Sequence, residues 1–141
     1  MSIVVGYDDT PAARFALETA LALAAGLGED VVAVYGAAPS RTVGEEYHAM
    51  EEAIAELGAN ALEHAHAIAA GHGVEIEIVL VDDSPQDALA GIADARDARM
   101  IVVGAVGPGT LREAVLGSIA RRVLASTTRP VLVVQEPHTA R

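Results

Sequence analysis

The sequence predicts an α/β protein built on a doubly wound, five-stranded parallel sheet with helices on both faces. Short apolar runs of strand length alternate along the chain with longer segments whose apolar residues recur at helical spacing. This order requires parallel strands joined by right-handed crossovers. No linker or internal repeat divides the chain, so residues 1–141 are expected to form a single domain.

The first half of the chain contains two of the predicted strands and two helices. The first strand ends at an Asp-Asp-Thr-Pro sequence, where Thr10 or Asp9 can cap a helix and Pro11 suits its first turn. Glycines at the far end of that helix stop it. The predicted elements are a strand over residues 2–7, a helix over 12–27, a strand over 30–38 and a helix over 45–70.

The second half repeats the pattern. Residues 74–81 alternate at first between apolar and polar types, which suits a strand near a sheet edge, whereas residues 99–103 are apolar enough to be buried on both faces. The predicted elements are a strand over residues 74–81, a helix over 84–95, a strand over 99–103, a helix over 118–126 and a strand over 131–135.

Composition excludes several function classes. The formal net charge is −11, which argues against nucleic acid as a partner. The chain has no cysteine, and all nine basic residues are arginine, so neither a Walker lysine nor a cysteine-based site is available. No apolar run reaches transmembrane length and the first residues lack a signal-peptide layout, so a cytoplasmic protein without membrane contact is expected.

A glycine-rich segment, residues 100–124, is the strongest functional signal. An apolar strand leads into Gly104, Gly107 and Gly109, and Gly117-Ser118 then open a helical pattern. Glycines allow close approach of an anion to the backbone, and a helix N-terminus supplies free N–H groups, so the segment predicts a phosphate site. Residues 104–141 also hold five of the nine arginines and two of the twenty acidic residues. The alternative is that the glycines only turn a strand into a helix.

The predicted topology gives this segment a neighbour. Ligands of doubly wound sheets bind beyond the carboxyl ends of the strands, where the strand order reverses. Asp8 follows the first strand and Gly104 follows the fourth. If these strands are adjacent, Asp8 and the glycine segment share one crevice.

The spacing of Gly104, Gly107 and Gly117-Ser118 resembles the G-x2-G-x9-G-[ST] signature of the ATP-binding branch of the universal stress protein family. The opening residues and the runs RMIVVG and RPVLVV are similar to the family's first, fourth and fifth strands, so the resemblance covers the whole chain. It implies a flavodoxin-like strand order of 3-2-1-4-5, with ATP between strands one and four.

Carried over by position, the resemblance implies specific contacts. Asp8 is expected near the ribose and a divalent ion, Mg²⁺ with ATP. Gly6 and Tyr7 are expected to line the base, the backbone near Gly36 to meet the adenine edge, and Val103 to underlie the nucleotide. The residues implied in binding ribose and phosphates are Gly104, Gly107, Gly117 and Ser118, with Ile119 and Ala120 continuing the row of amides.

Some acidic and histidine residues have other interpretations. Asp9 stands where the family usually has a small residue, and it adds negative charge near the site. The pair Asp8-Asp9 has an alternative role as a helix cap alone. His64 and His66 are two residues apart on a predicted helix, which points them to different faces and disfavours a shared metal.

The function that the resemblance implies is that of a small ATP-binding regulatory protein of the stress response, acting through regulatory protein partners that the sequence does not identify. The alternative is a slow ATPase or nucleotide-phosphate hydrolase, although Ser118 has no histidine or lysine near it in sequence. A third possibility is an empty fold that only dimerises. The last strand, residues 131–135, is apolar and at a sheet edge in the implied order, so a homodimer through it is expected.

Overall fold

The structure, a computed structural model, describes residues 1–36, 45–81, 83–105 and 116–136. Within these ranges, five strands and four helices form one parallel sheet with order β3-β2-β1-β4-β5, which confirms the predicted topology. The elements are β1 Ser2–Gly6, α1 Pro11–Leu27, β2 Asp30–Gly36, α2 Glu45–Ala70, β3 Ile76–Val81, α3 Pro85–Ala95, β4 Met100–Gly104, α4 Ser118–Ser126 and β5 Val131–Val134.

Most boundaries lie within one residue of the predicted ones. The predicted end of β2, residues 37–38, lies outside the described residues, and the start of β3 differs by two residues. This strand was expected to start at residue 74 but is paired only from Ile76. In the register of the sheet, Ile76 is opposite Val31, the second residue of β2. Residue 74 therefore lies beyond the start of β2 and has no strand to pair with.

Each face of the sheet has its own hydrophobic core. On one face, Ile3 and Val5 of β1 pack with Leu17 in the core beneath α1 and α2. On the other, Val4 packs with Leu89 in the core beneath α3 and α4. Burial on both faces explains why the inner strands are almost continuously apolar. None of the helices in the described ranges combines the length and the apolar character needed to cross a bilayer.

The ends of α1 follow from its local sequence. Thr10 is the N-cap, and its Oγ1 accepts a hydrogen bond of 3.2 Å from the Ala13 N–H. The helix begins at Pro11, whose missing N–H is not needed in the first turn. Gly28 ends it in the left-handed conformation, with φ 69°, and its N–H donates to the Ala24 carbonyl.

A close approach brings the start of α1 against the end of β4. A Cβ placed on Gly104 would lie 3.0 Å from the Cβ of Ala12, which is tighter than ordinary van der Waals contact. Because Gly104 has no side chain and that of Ala12 is a single methyl group, α1 can begin directly beside the carboxyl edge of the sheet. That edge is where ligands of doubly wound sheets bind.

Candidate functional site

A cleft opens at the carboxyl edge of the sheet, where β1 and β4 lie side by side. The chain leaves β1 toward one face and β4 toward the other, so this is the point at which the strand order reverses. Nine residues that the sequence analysis singled out line the cleft: Gly6, Tyr7, Asp8, Gly36, Val103, Gly104, Gly117, Ile119 and Ala120.

The remaining two predicted site residues are not among the lining residues. Ser118 is exposed and begins α4, and its side chain makes no wall of the cleft. Gly107 lies outside the described residues, as does Gly109. The sequence analysis assigned no binding role to five further residues that line the cleft: Thr10, Ala13, Val34, Pro85 and Leu89.

Asp8 supports the start of α1 rather than capping it. Its Oδ1 accepts a hydrogen bond of 2.6 Å from the Thr10 hydroxyl and one of 3.2 Å from the Thr10 N–H. Thr10 in turn caps α1, so of the two predicted cap candidates Thr10 fills the role and Asp9 does not. Oδ2 of Asp8 accepts no hydrogen bond from a described residue, which leaves this oxygen available at the cleft.

Tyr7 contributes less of its side chain to the cleft than expected. The residue is 3 % exposed and belongs to the core beneath α1 and α2. Its N–H donates to the Val34 carbonyl, and its hydroxyl donates to Asp9 Oδ1 at 2.7 Å. Burial and the neighbouring Asp9 carboxylate raise the pKa of the Tyr7 phenol. The Tyr7 hydroxyl therefore stays protonated and donates its hydrogen bond to Asp9.

Asp9 is the centre of a hydrogen-bonded cluster that the sequence did not reveal. Its backbone has φ 63°, a left-handed conformation that is uncommon outside glycine. Besides Tyr7, its carboxylate accepts from Arg14 Nε at 3.0 Å and contacts His64 Nδ1 at 2.7 Å. Burial raises the pKa of Asp9, but hydrogen bonds from Arg14, His64 and Tyr7 outweigh it and lower the pKa to about 2.

This cluster offsets the negative charge that Asp9 was expected to add near the site. The extra negative charge lies beside a guanidinium and an imidazole, and Asp9 is not among the residues that line the cleft. His64 is 55 positions away in the sequence, on α2, so no local pattern could have joined it to Asp9.

The amino end of α4 supplies N–H groups at the opposite side of the cleft. Gly117 is the N-cap, with φ −60° and ψ 158°, and its N–H donates to the Ala105 carbonyl at 2.7 Å. The first bond within the helix runs from the Arg121 N–H to the Gly117 carbonyl. The N–H groups of Ser118, Ile119 and Ala120 therefore have no acceptor within the helix. These amides, rather than that of Gly117, are the ones available to an anion.

The cleft has few charged groups. Among the described residues that line it, Asp8 alone carries a charged side chain. In the described ranges no group of three or more acidic or histidine residues is arranged to hold a metal ion. A divalent cation at Asp8 would thus depend on ligand oxygens for most of its coordination, as Mg²⁺ commonly does with phosphates.

Comparison with known proteins gives consistent results. A model of the universal stress protein family matches residues 1–135. The chain is 31% identical over 139 residues to the universal stress protein MJ0531 of Methanocaldococcus jannaschii, covering 96% of this chain and 82% of the relative. A solved universal stress protein in complex with cAMP is 26% identical with a TM-score of 0.76, covering 99% of this chain and 98% of the other. A universal stress protein from Archaeoglobus fulgidus in complex with dAMP is 27% identical with a TM-score of 0.69, covering 94% and 96%.

Proposed function

Because the chain belongs to the universal stress protein family, we propose that it is an adenine-nucleotide-binding regulatory protein whose ligand occupies the cleft at the carboxyl edge of the sheet. One observation carries the proposal: the first turn of α4 opens onto the same cleft as Asp8 and the glycine ends of β1 and β4. Free helix N–H groups suit phosphates, and the apolar walls suit a base.

In this arrangement the nucleotide spans the cleft. The phosphates accept hydrogen bonds from the amides of Ile119 and Ala120, and the Ser118 amide extends that row at the mouth of the cleft. Apolar side chains such as Val103 and Leu89 contact the base or ribose. Gly6 and Gly36 end β1 and β2 at the cleft, where their backbone groups meet the ligand. Gly107 completes the proposed phosphate loop.

ATP with Mg²⁺ is the proposed ligand form. Two related structures contain cAMP or dAMP, which supports an adenine nucleotide as the ligand class. ATP carries more negative charge than either, and the carboxylate of Asp8 adds a further negative charge to the cleft. A divalent cation shared by Asp8 and the phosphates reduces this repulsion.

A regulatory role is favoured over hydrolysis. Phosphoryl transfer needs cations around the γ-phosphate, and none of the described residues that line the cleft is arginine or histidine. In the proposed role, the bound nucleotide controls two events in the cytoplasm: the binding of protein partners and the assembly of the chain. It is hydrolysed little.

The proposed assembly is a homodimer through β5. This strand is at one edge of the sheet and pairs only with β4 among the described strands. The carbonyls of Pro130 and Val134 accept hydrogen bonds from the N–H groups of Ile101 and Ala105. The backbone groups of the even-numbered residues of β5 therefore point toward β4. The N–H of Val133 accordingly points to the open side, where a second copy can pair with it.

The test is calorimetry with ATP and cAMP on the wild-type protein and on Gly117→Val. Valine places a branched side chain at the N-cap, where it narrows the approach to the α4 amides, so affinity should fall at least about tenfold. Leu116→Val is the matched control, because Leu116 does not line the cleft. Equal affinity in a folded Gly117→Val protein, or no binding of either nucleotide by wild type, overturns the proposal. Phosphate release from ATP at rates typical of enzymes would favour the hydrolase instead.

A further inference from the structure

Of the arginines in the described ranges, Arg121 and Arg122 alone have side chains without a carboxylate partner. The others each form an ion pair: Arg14 with Asp9, Arg96 with Glu77, Arg99 with Glu29 and Arg129 with Asp94. Acidic residues outnumber arginines by 20 to 9 in the chain, so most arginine side chains have a carboxylate within reach. Two adjacent arginines without such a partner indicate a surface that stays positive for an anionic ligand.

Both arginines lie near the start of α4, directly after the residues that face the cleft. Gly117, Ile119 and Ala120 line the cleft, and the Arg121 N–H donates to the Gly117 carbonyl at 3.1 Å. Residues three and four positions apart share a helix face, and helical side chains lean toward the N-terminus of their helix. Arg121 is therefore next to Gly117 on the helix surface, and Arg122 is next to Ile119. Both arginines are exposed and neither lines the cleft, so the pair lies beside its mouth.

The positive charge of this pair contrasts with the charge of the whole protein. The formal net charge of −11 repels an anionic ligand at long range. Within the cleft, the one charged side chain among the described lining residues is the carboxylate of Asp8. The partial positive charge of a helix N-terminus falls off within about one turn, so it cannot offset this repulsion at a distance. Because α4 contains no acidic residue, the charges of Arg121 and Arg122 are not cancelled on their own helix.

We propose that Arg121 and Arg122 select the ligand by its charge, favouring nucleotides with a polyphosphate over nucleotides with a single phosphate. The attraction between charges grows with the charge of the ligand and extends over about 10 Å at about 0.1 M salt, so ATP gains more from the pair than cAMP does. The inference rests on the proposed function, because it requires the phosphates to lie at the α4 amides. The pair acts from outside the cleft and does not surround the γ-phosphate with cations, so it leaves the regulatory role unchanged.

The experiment compares Arg121→Gln and Arg122→Gln, singly and combined, with Arg96→Gln. Glutamine removes the charge and has a helix propensity close to that of arginine, so α4 is retained. Arg96 provides the control because it is also exposed but follows α3 and bonds Glu77 near the start of β3, at the opposite edge of the sheet. Calorimetry measures the affinity of each protein for ATP and for cAMP at about 0.1 M and at about 1 M salt.

The expected result depends on both the ligand and the salt concentration. At about 0.1 M salt the combined variant should bind ATP about three- to tenfold more weakly than wild type, and cAMP less than about twofold more weakly. At about 1 M salt, where charges are screened within about 3 Å, the difference for ATP should nearly disappear. The inference is overturned by a loss that is equal for the two nucleotides, that persists at high salt or that Arg96→Gln shares, and also by an unchanged affinity for ATP.

A third ligand keeps the inference separate from the proposed function. Inorganic tripolyphosphate resembles the phosphates of ATP but has no base or ribose to occupy the apolar part of the cleft. The combined variant should bind it more weakly than wild type at about 0.1 M salt, and Arg96→Gln should not. If neither nucleotide binds wild type, the proposed function fails and tripolyphosphate alone decides the inference. Equal binding of tripolyphosphate by wild type and the combined variant, or no binding by wild type, then overturns it.

Discussion

Gly36 at the end of β2 lies directly against Pro85, the first residue of α3. A Cβ placed on Gly36 would be 2.9 Å from the Pro85 Cα and 3.0 Å from the Ala88 Cβ. The sequence analysis assigned Gly36 to the adenine edge, and the residue does line the cleft. Its missing side chain has a further purpose, because only glycine allows α3 to begin at this distance from the strand.

Gly36→Ala should therefore destabilise the protein by about 1–3 kcal/mol, the usual cost of inserting an atom into close packing. The atom it meets belongs to the backbone of Pro85, which cannot rotate away. Gly91→Ala in the same helix α3 is the control, since nothing lies within 4 Å of its Cβ position. That change should stabilise by about 0.5–1 kcal/mol. Urea unfolding measures both, and similar values for the two variants contradict the packing argument.

Asp8→Asn should weaken the Mg²⁺ dependence of ATP binding with little change in stability. The amide oxygen of asparagine can accept the same two hydrogen bonds from Thr10, so the start of α1 is retained. The variant loses the charge that attracts a cation. Calorimetry with and without Mg²⁺ measures the effect, with Asp30→Asn as control because Asp30 begins β2 at the opposite edge of the sheet. An unchanged Mg²⁺ dependence combined with lower stability favours a structural role alone.

Asp9→Asn should lose stability at neutral pH but not in strong acid. The pKa of Asp9 falls from 3.8 to about 2 on folding, so the folded state binds this proton less readily than the unfolded state. The stabilisation by the carboxylate is complete above about pH 4 and disappears as the pH falls toward about 2. Asparagine tolerates the left-handed backbone, so the variant isolates the charge.

Urea unfolding of wild type and Asp9→Asn across that pH range measures the predicted convergence. Asp97→Asn is the matched control, because Asp97 also has a positive φ, 49°, while its carboxylate is 81 % exposed. The Asp97 carboxylate pairs with Arg129 alone, so this control makes the same change of residue type without the three contacts of Asp9. Parallel curves for wild type and Asp9→Asn would contradict the assigned contacts.

Val133→Pro should convert the proposed dimer into a monomer. Proline removes the N–H on the open side of β5, while the bonds to β4 use the even-numbered residues. Val133→Ala is the control, because it shortens the side chain but keeps the N–H. Light scattering at micromolar concentration distinguishes the forms. A monomeric wild type refutes the dimer. A proline variant that stays dimeric would show that the interface does not use β5.

The strands, the helices and the parallel sheet could be predicted because they depend on local patterns, whereas the strand order 3-2-1-4-5 came from the resemblance to the family. Apolar runs and helical periodicity identify the elements, and the crossover rule makes the sheet parallel. The same period-two logic also indicates the side-chain position of Tyr7, since Ile3, Val5 and Tyr7 alternate onto one face and share one core. Tyr7 also lines the cleft, so its expected position beside the base stays a prediction.

The contacts that shape the cleft could not be predicted in the same way. The bond between Asp9 and His64 depends on how α2 packs against the turn, which no local pattern records. Likewise, the sequence marks Gly117 as part of a phosphate loop but gives no indication that its N–H is already bonded to Ala105. Both facts depend on distances between elements that are separated along the chain.

The bond from the Gly117 N–H to the Ala105 carbonyl has a consequence for how the protein can vary. It joins the two ends of residues 106–115 at 2.7 Å, so the sheet and α4 are held together independently of what the intervening residues are. By loop-closure entropy, doubling the number of residues between two joined ends costs only about 0.6 kcal/mol. We therefore expect insertions between Ala105 and Gly117 to change the stability of the described sheet and helices little.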